Sequence, residues 1–248
     1  MRVLVTPDYR TLSQTAAELV IKALRAKSHL SLGLPTGRTP LGMYEELVKK
    51  HREEHLDFSE LRTFNLDEYL GLPQDHPKAY HIYMRRHFFE HVNMSPANIH
   101  IPDGSPGIDA DRESERYEEA IHDAGGLDLL IVGIGANGHI AFNEPGSTFD
   151  SRTRAVDLAP ETIANAKHYF GSDSVPARAI TMGIGTILEA RRILLLAAGP
   201  SKADAVDRAL RGPVSTDVPA SALQLHPRVI VILDEDANHH RDAKTQRK

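Results

Sequence analysis

A single α/β domain, built on a mostly parallel, doubly wound sheet with helices on both faces, is predicted by three features of the sequence. Short runs rich in Val, Ile and Leu alternate with longer segments whose apolar residues recur at helical spacing, from residue 2 to residue 233. The strongest runs, 127–132 and 191–198, are almost continuously apolar, the pattern of strands buried on both faces. No internal repeat, low-complexity tract or linker-like change of composition divides the 248 residues, so one domain over 1–248 is the economical organisation.

The elements follow in order. Residues 2–6 form a first strand, and 9–26 a helix with Leu12, Ala16, Leu19, Val20 and Leu24 on one side. A short strand at 30–34 ends in Pro35-Thr36-Gly37-Arg38-Thr39-Pro40, and a helix over 41–50 presents Met43, Leu47 and Val48. A strand over 61–66 ends in Asp67-Glu68-Tyr69; a helix over 79–92, a short strand at 99–101 and a charged helix over 109–124 come next. Strand 127–132 delivers the glycine-rich stretch 133–146. Residues 179–182 read as an edge or buried strand and 191–198 as a buried one. A helix opens at Gly199-Pro200-Ser201-Lys202 and runs to about 210, and 229–233 is the last strand. The polar segment 151–176, poor in apolar periodicity, reads as a mobile lid or a long surface excursion, and the tail 238–248 is expected to fray.

Composition narrows the function classes. A formal net charge of -5 argues against a nucleic-acid surface, and the absence of cysteine excludes disulfides and thiolate chemistry. No apolar run reaches the roughly 18 residues that span a bilayer, and the apolar part of 1–6 is too short for a secretory signal. A cytoplasmic protein that meets neither membrane nor nucleic acid is expected.

Candidate chemistry gathers at four strand ends, where open α/β sheets bind ligands. The 35–40 turn, running into a helix, offers amides and hydroxyls to an anion such as phosphate; it also reads as an N-capped helix with Thr39 as cap and Pro40 in the first helical position, and both can hold at once because cap and anion site use the same geometry. Asp67 and Glu68 follow a buried strand, where acids are either solvated or used, so Asp67 is a general base or part of a turn. Lys202 begins a helix and is placed to add charge to a phosphate site, or lies on the surface. The stretch Gly133-Ile-Gly-Ala-Asn-Gly-His139-Ile-Ala-Phe-Asn-Glu144-Pro-Gly brings glycines, a histidine and a carboxylate together, equipment for close backbone approach and proton transfer. His139 as a core histidine and Glu144 as a surface acid are the alternatives. Gly133, Gly135 and Gly138 also match the dinucleotide fingerprint, but Pro145-Gly146 stops the long helix such a site requires, so a tight loop is expected.

Five segments resemble the glucosamine-6-phosphate deaminase family, in order and over nearly the whole chain: Leu34-Pro35-Thr36-Gly37-x-Thr39-Pro40, Phe64-Asn65-x-Asp67-Glu68-Tyr69, Gly138-His139-Ile140-Ala141-Phe142-Asn143-Glu144-Pro145, Ser151-Arg152-Thr153-Arg154 and Ser221-Ala222-Leu223-Gln224-Leu225-His226. The related 6-phosphogluconolactonases share the fold and a Gly-His pair but continue differently after the histidine. The resemblance implies an enzyme that converts glucosamine 6-phosphate and water to fructose 6-phosphate and ammonia, a hydrolase in net stoichiometry, with no metal or organic cofactor. By the same resemblance His139 is the acid/base for ring opening, Glu144 orients it, and Asp67 is the base at carbon 2. Thr36, Gly37 and Thr39, with Lys202, would grip the phosphate.

The chain departs from the family at four places. Asn137 stands where many members carry Asp; it can still orient His139 by a hydrogen bond but supplies no charge. Arg38 replaces a Gly or Ser, and either adds a phosphate contact or faces solvent. An arginine of the family's lid has no clean match, Lys167 and His168 being the nearest basic groups. Val156 stands where members activated by N-acetylglucosamine 6-phosphate carry a basic residue, so weak or absent activation is expected. Allosteric relatives are hexamers and others are not, which leaves a homo-oligomer open. The competing readings are a lactonase-like hydrolase, an isomerase for the galactosamine epimer, and a non-catalytic sugar-phosphate-binding regulator.

Overall fold

A computed structural model describes residues 1–238. Its main sheet has seven strands in the order β1-β10-β9-β6-β2-β3-β5, every pair parallel. These are β1 (Arg2–Thr6), β2 (Ser31–Leu34), β3 (Arg62–Asn65), β5 (Ile99–His100), β6 (Leu129–Gly133), β9 (Ile193–Ala197) and β10 (Val229–Asp234). The expected doubly wound α/β class is what forms.

Period-two alternation explains why helices cover both faces. Leu129 and Ile131 of β6 join the core under α1 (Tyr9–Ala26), α2 (Leu41–Glu54) and α3 (Tyr80–His87). Leu130 and Val132, pointing the other way, join the core under α4 (Ala110–Asp123), α6 (Ile184–Leu188) and α7 (Ala203–Arg211). All four side chains are at least 98% buried, and each such Leu, Ile or Val contributes about 1.5–3 kcal/mol by leaving water. A central strand therefore anchors two cores at once.

Chain order reverses between β2 and β6. From β2 the sheet grows through β3 to β5 on one side, and from β6 through β9 and β10 to β1 on the other. Helices leave to opposite faces at such a switch, and the strand ends open a crevice between them. The four candidate strand ends belong to β9, β6, β2 and β3, which are consecutive in the sheet.

A second sheet escaped the sequence reading. β4 (Asp67–Tyr69) and β7 (Arg154–Asp157) pair antiparallel on either side of β8 (Arg178–Thr181), so Asp67-Glu68-Tyr69 is a strand and not a turn. The segment 151–176 is correspondingly built from β7 and helix α5 (Pro160–Phe170) rather than an irregular excursion. Its few apolar residues bury in a small third core, where Phe170 and Leu158 meet Tyr69 and Phe142. The helix expected over 79–92 ends at His87, and a 3-10 turn over Phe89–His91 follows. α2 runs four residues past its expected end, to Glu54, where His55 takes a left-handed conformation with φ 55°. The helix expected from 199 begins with a 3-10 turn, Pro200–Lys202, ahead of α7, and α8 (Glu235–Asn238) ends the described chain. The tail expected to fray lies, from 239 on, outside the described residues. No described helix is long and apolar enough to cross a membrane.

The adjacent acids Asp67 and Glu68 point to opposite sides of β4. Glu68, 1% exposed, accepts from the backbone N–H of Tyr69 at 2.8 Å, Tyr80 at 2.9 Å and His81 at 3.0 Å. It thereby caps α3, whose own N-cap residue Ala79 has no side chain for the purpose. Glu68→Ala would strand buried donors and is expected to lower unfolding stability by roughly 2–4 kcal/mol. Urea denaturation checks this; a loss below about 0.5 kcal/mol would mean that water replaces the carboxylate there.

Candidate active site

The loop after β6 is built around one close approach. A Cβ placed on Gly135 would lie 2.2 Å from Cε1 and 2.4 Å from both ring nitrogens of His139, so the imidazole lies flat on a residue that has no side chain. The turn is closed by Gly135 N–H donating to the His139 carbonyl at 2.9 Å and Gly138 N–H to the Gly135 carbonyl at 3.0 Å. This is the tight loop expected in place of a nucleotide fingerprint, and no helix follows within 139–150.

Glu144 faces the ring. Its Oε2 lies 3.5 Å from His139 Nδ1, within ion-pair range but long for a hydrogen bond, and that nitrogen is buried without another partner. The same Oε2 accepts from Asn137 Nδ2 at 2.8 Å, while Asn137 Oδ1 accepts from the His139 backbone N–H at 3.2 Å. Thr162, from the first turn of α5, donates its hydroxyl to Glu144 Oε1 at 2.5 Å. Burial pushes the Glu144 pKa up, but the His139 imidazole, the Thr162 hydroxyl and the Asn137 amide outweigh it and hold the carboxyl down at about 2. Glu144 is thus a fixed anion facing Nδ1, and Nε2 has no hydrogen-bond partner among the described residues. Thr162 was not expected from the sequence, since it lies 18 residues beyond its partner.

Asp67 is its electrostatic opposite. It is 7% exposed, and its carboxylate accepts no hydrogen bond among the described residues. Burial, reinforced by the neighbouring Glu68 charge, pushes its pKa up to about 8. Asp67 and the histidine loop meet through one residue. Thr181 of β8 pairs with Asp67 in the second sheet, and its hydroxyl accepts the Phe142 N–H at 3.0 Å. Asn143 fastens the same loop, donating Nδ2 to the carbonyls of Ile140 at 3.0 Å and Met182 at 2.8 Å.

The 35–40 turn ends β2. Gly37 has φ 94° with open space where a Cβ would stand, so conformation and not crowding calls for glycine. Thr39 does not cap α2: Pro40 occupies the N-cap position and no cap side-chain bond forms, which leaves the turn's amides free for an anion. Thr36 and Thr39 are half-buried and Gly37 and Arg38 exposed. Lys202 approaches from β9; burial and the nearby Arg38 charge hold its pKa below the ordinary lysine range. Neither cation has a carboxylate partner among the described residues, an arrangement that suits an anion between them. Lys167 and His168 are exposed near the C-terminal end of α5 and contact none of these groups through a side-chain hydrogen bond or ion pair among the described residues.

With this geometry in place, known proteins give its relatives. A family model described as glucosamine-6-phosphate isomerases/6-phosphogluconolactonase matches residues 8–231. A glucosamine-6-phosphate deaminase of Halothermothrix orenii is 52% identical over 238 residues, covering 96% of this chain and 98% of that one. Glucosamine-6-phosphate deaminase 2 of Bacillus subtilis is 48% identical over 241 residues, covering 96% of each. Among solved structures, one described as a monomeric glucosamine-6-phosphate deaminase superposes with a TM-score of 0.93 at 46% identity, covering 96% of this chain and 98% of that one. A 6-phosphogluconolactonase from Trypanosoma brucei superposes at 0.75 with 20% identity, covering 95% and 97%, a likeness of fold alone. Extent and identity together mean that the chain belongs to the glucosamine-6-phosphate isomerase/6-phosphogluconolactonase family.

Proposed function

We propose that this chain is a glucosamine-6-phosphate deaminase, converting glucosamine 6-phosphate and water to fructose 6-phosphate and ammonia. The observation that carries this reading is the division of labour in one crevice. A histidine held by a carboxylate sits on one strand end, and an isolated buried carboxylate sits on another. Relatives at 46–52% identity bear the deaminase name, whereas the lactonase likeness is at 20%.

His139 Nε2 moves a proton between the anomeric hydroxyl and the ring oxygen, opening the sugar, while Glu144 steadies the ring through Nδ1. Asp67 then takes the proton from carbon 2, giving an enol-type intermediate whose charge the protonated amine offsets. A proton passes from the nitrogen to the oxygen on carbon 1, the same carboxyl returns its proton at carbon 1 to leave an iminium at carbon 2, and water adds there and expels ammonia as the ketone forms. One water is consumed, so the net reaction is hydrolytic although its chemistry is an isomerisation; it calls on no cofactor. Thr36, Gly37, Arg38, Thr39 and Lys202 hold the non-reacting phosphate, which positions the reacting carbons. The segment 151–176 acts as a lid over them, its α5 fastened to Glu144 through Thr162, and Lys167 or His168 reaches the phosphate only if that lid closes further. Every group used belongs to one chain, so the reading requires no oligomer, and it places the enzyme in the cytoplasm.

Ammonia release from glucosamine 6-phosphate is the direct test; none released, with a phosphorylated lactone hydrolysed instead, would overturn the proposal. Asp67→Asn is expected to lower kcat by about 10²–10⁴-fold. Wild-type kcat/KM should rise with pH through about 8, as Asp67 loses its proton. The stability sign is opposite. A carboxyl whose folded pKa is raised from about 3.9 to about 8 costs stability progressively between those values. Asp67→Asn should therefore melt at a higher temperature than wild type at pH 8, with the difference vanishing near pH 3.5; an equal effect at both pH values would reject the burial argument.

Asn137→Asp places a second carboxylate beside the His139–Glu144 pair and should retain activity while moving a limb of the pH–rate profile upward. An unshifted profile would count against a direct influence of residue 137 on the imidazole. With Val156 in place of a basic residue, added N-acetylglucosamine 6-phosphate should leave the rate curves hyperbolic and unchanged. Sigmoidal kinetics relieved by that compound would refute this.

A further inference from the structure

Three tyrosine hydroxyls, from three different helices, converge on the carbonyl side of the turn that ends β2. Tyr44 Oη of α2 donates to the Pro35 carbonyl at 2.6 Å, and Tyr83 Oη of α3 donates to the Gly37 carbonyl at 2.5 Å. Tyr9 Oη, at the start of α1, lies 3.1 Å from the carbonyls of both Arg38 and Thr39. It also accepts the Gly42 N–H at 2.9 Å, supplying α2 with the cap that Thr39 does not provide. Of the five successive carbonyls from Pro35 to Thr39, all but that of Thr36 are thus held by phenols.

A trans peptide unit is planar, with its C=O and the following N–H pointing in opposite directions. No cis bond occurs among the described residues. Fixing the carbonyls of Pro35, Gly37 and Arg38 therefore fixes the N–H groups of Thr36, Arg38 and Thr39, aimed away from the tyrosines. None of those three amides has a protein acceptor among the described residues. A turn with a φ 94° glycine at its centre has other low-energy arrangements, so its peptide planes need such restraint. α1, α2 and α3 lie on one face of the sheet, and Lys202 comes from the other side of the switch point.

We propose that Tyr9, Tyr44 and Tyr83 are positioning residues of the phosphate grip: they hold the turn's carbonyl oxygens back and so present its amides to the phosphate of the substrate. The inference rests on the phosphate-binding part of the proposed function. Each phenol acts on binding of a phosphate monoester, not on the proton transfers at His139 and Asp67. Preorganised donors cost nothing to align at the moment of binding, so loosening them weakens the anion's hold and little else.

Tyr9→Phe, Tyr83→Phe and the double variant test this, with inhibition by inorganic phosphate as the principal reading. Each single change is expected to raise the phosphate inhibition constant and the KM for glucosamine 6-phosphate roughly two- to tenfold, with kcat changed by less than about twofold. Residual turnover of unphosphorylated glucosamine should stay at the wild-type level, an outcome that a general loosening of the fold would not produce. Tyr9 is 38% exposed, so its loss of one hydroxyl leaves the fold intact if Tyr83→Phe should prove unstable. Unchanged phosphate inhibition in all three variants, or equal losses on glucosamine and its 6-phosphate, would overturn the proposal. Lys202→Ala separates the two levels of inference. If wild type releases ammonia, and phosphate inhibition weakens in Lys202→Ala but not in the tyrosine variants, only the role of the phenols falls. If wild type neither releases ammonia nor responds to phosphate, the functional reading falls and takes this one with it.

Discussion

The parallel pairing of β2 with β6 is the constraint on which the site depends. Leu32 and Gly33 lie beside Leu129 and Leu130, and a Cβ on Gly33 would come within 2.0 Å of the Leu130 side chain. Because chain order reverses across this pair, the loops leaving it diverge, one toward α2 and one toward the second sheet. That divergence makes the crevice, and it sets the 35–40 turn and the histidine loop on its two walls. Neither loop carries enough apolar surface to hold a shape alone. Both take their shape from strands fully buried on two faces.

Within the crevice the protein makes one carboxylate an anchored anion and another an unsupported one. Glu144 receives an amide, a hydroxyl and a facing imidazole, which together outweigh the cost of its burial. Asp67 receives no such partner and carries the full cost, which is why it holds a proton into the neutral range. Glu68, one position on, is as buried as either but is used up by the backbone N–H of Tyr69, two backbone donors of α3 and His81 Nδ1 at 3.0 Å. Three acids with one chemistry thus take three roles, decided by how many donors surround each.

The second sheet couples these parts. Its central strand, β8, holds Asp67 on one side and the Arg154 strand on the other, and its Thr181 fastens the histidine loop. Glu118 of α4 anchors the same region from outside, accepting the Thr153 N–H at 2.8 Å and pairing with Arg152 at 2.6 Å. Among the described residues, helix α5 adds a single hydroxyl to the hydrogen bonds around Glu144, through Thr162. Its own apolar contacts are confined to the small third core.

Hydrophobic periodicity and glycine placement suffice to determine that this chain forms an alternating α/β sheet, and which strand ends carry Asp67, His139 and the 35–40 turn. Those signals are local, and buried parallel strands write them strongly. Short, half-polar strands do not: β4 and β7 have three and four residues and are stabilised by pairing with β8, more than 100 residues from one and more than 20 from the other, so nothing within either segment announces it. The same holds for donors that arrive across the fold. Thr162, Thr181 and the phenols of Tyr9, Tyr44 and Tyr83 matter for where they end, not for their spacing. Thr39 misled for the complementary reason, since its position suited a helix cap but a tyrosine from another helix took that task. Residue types set which chemistry was available to the chain; only tertiary structure decided which acid was left without partners, because burial and hydrogen bonding are properties of the folded neighbourhood.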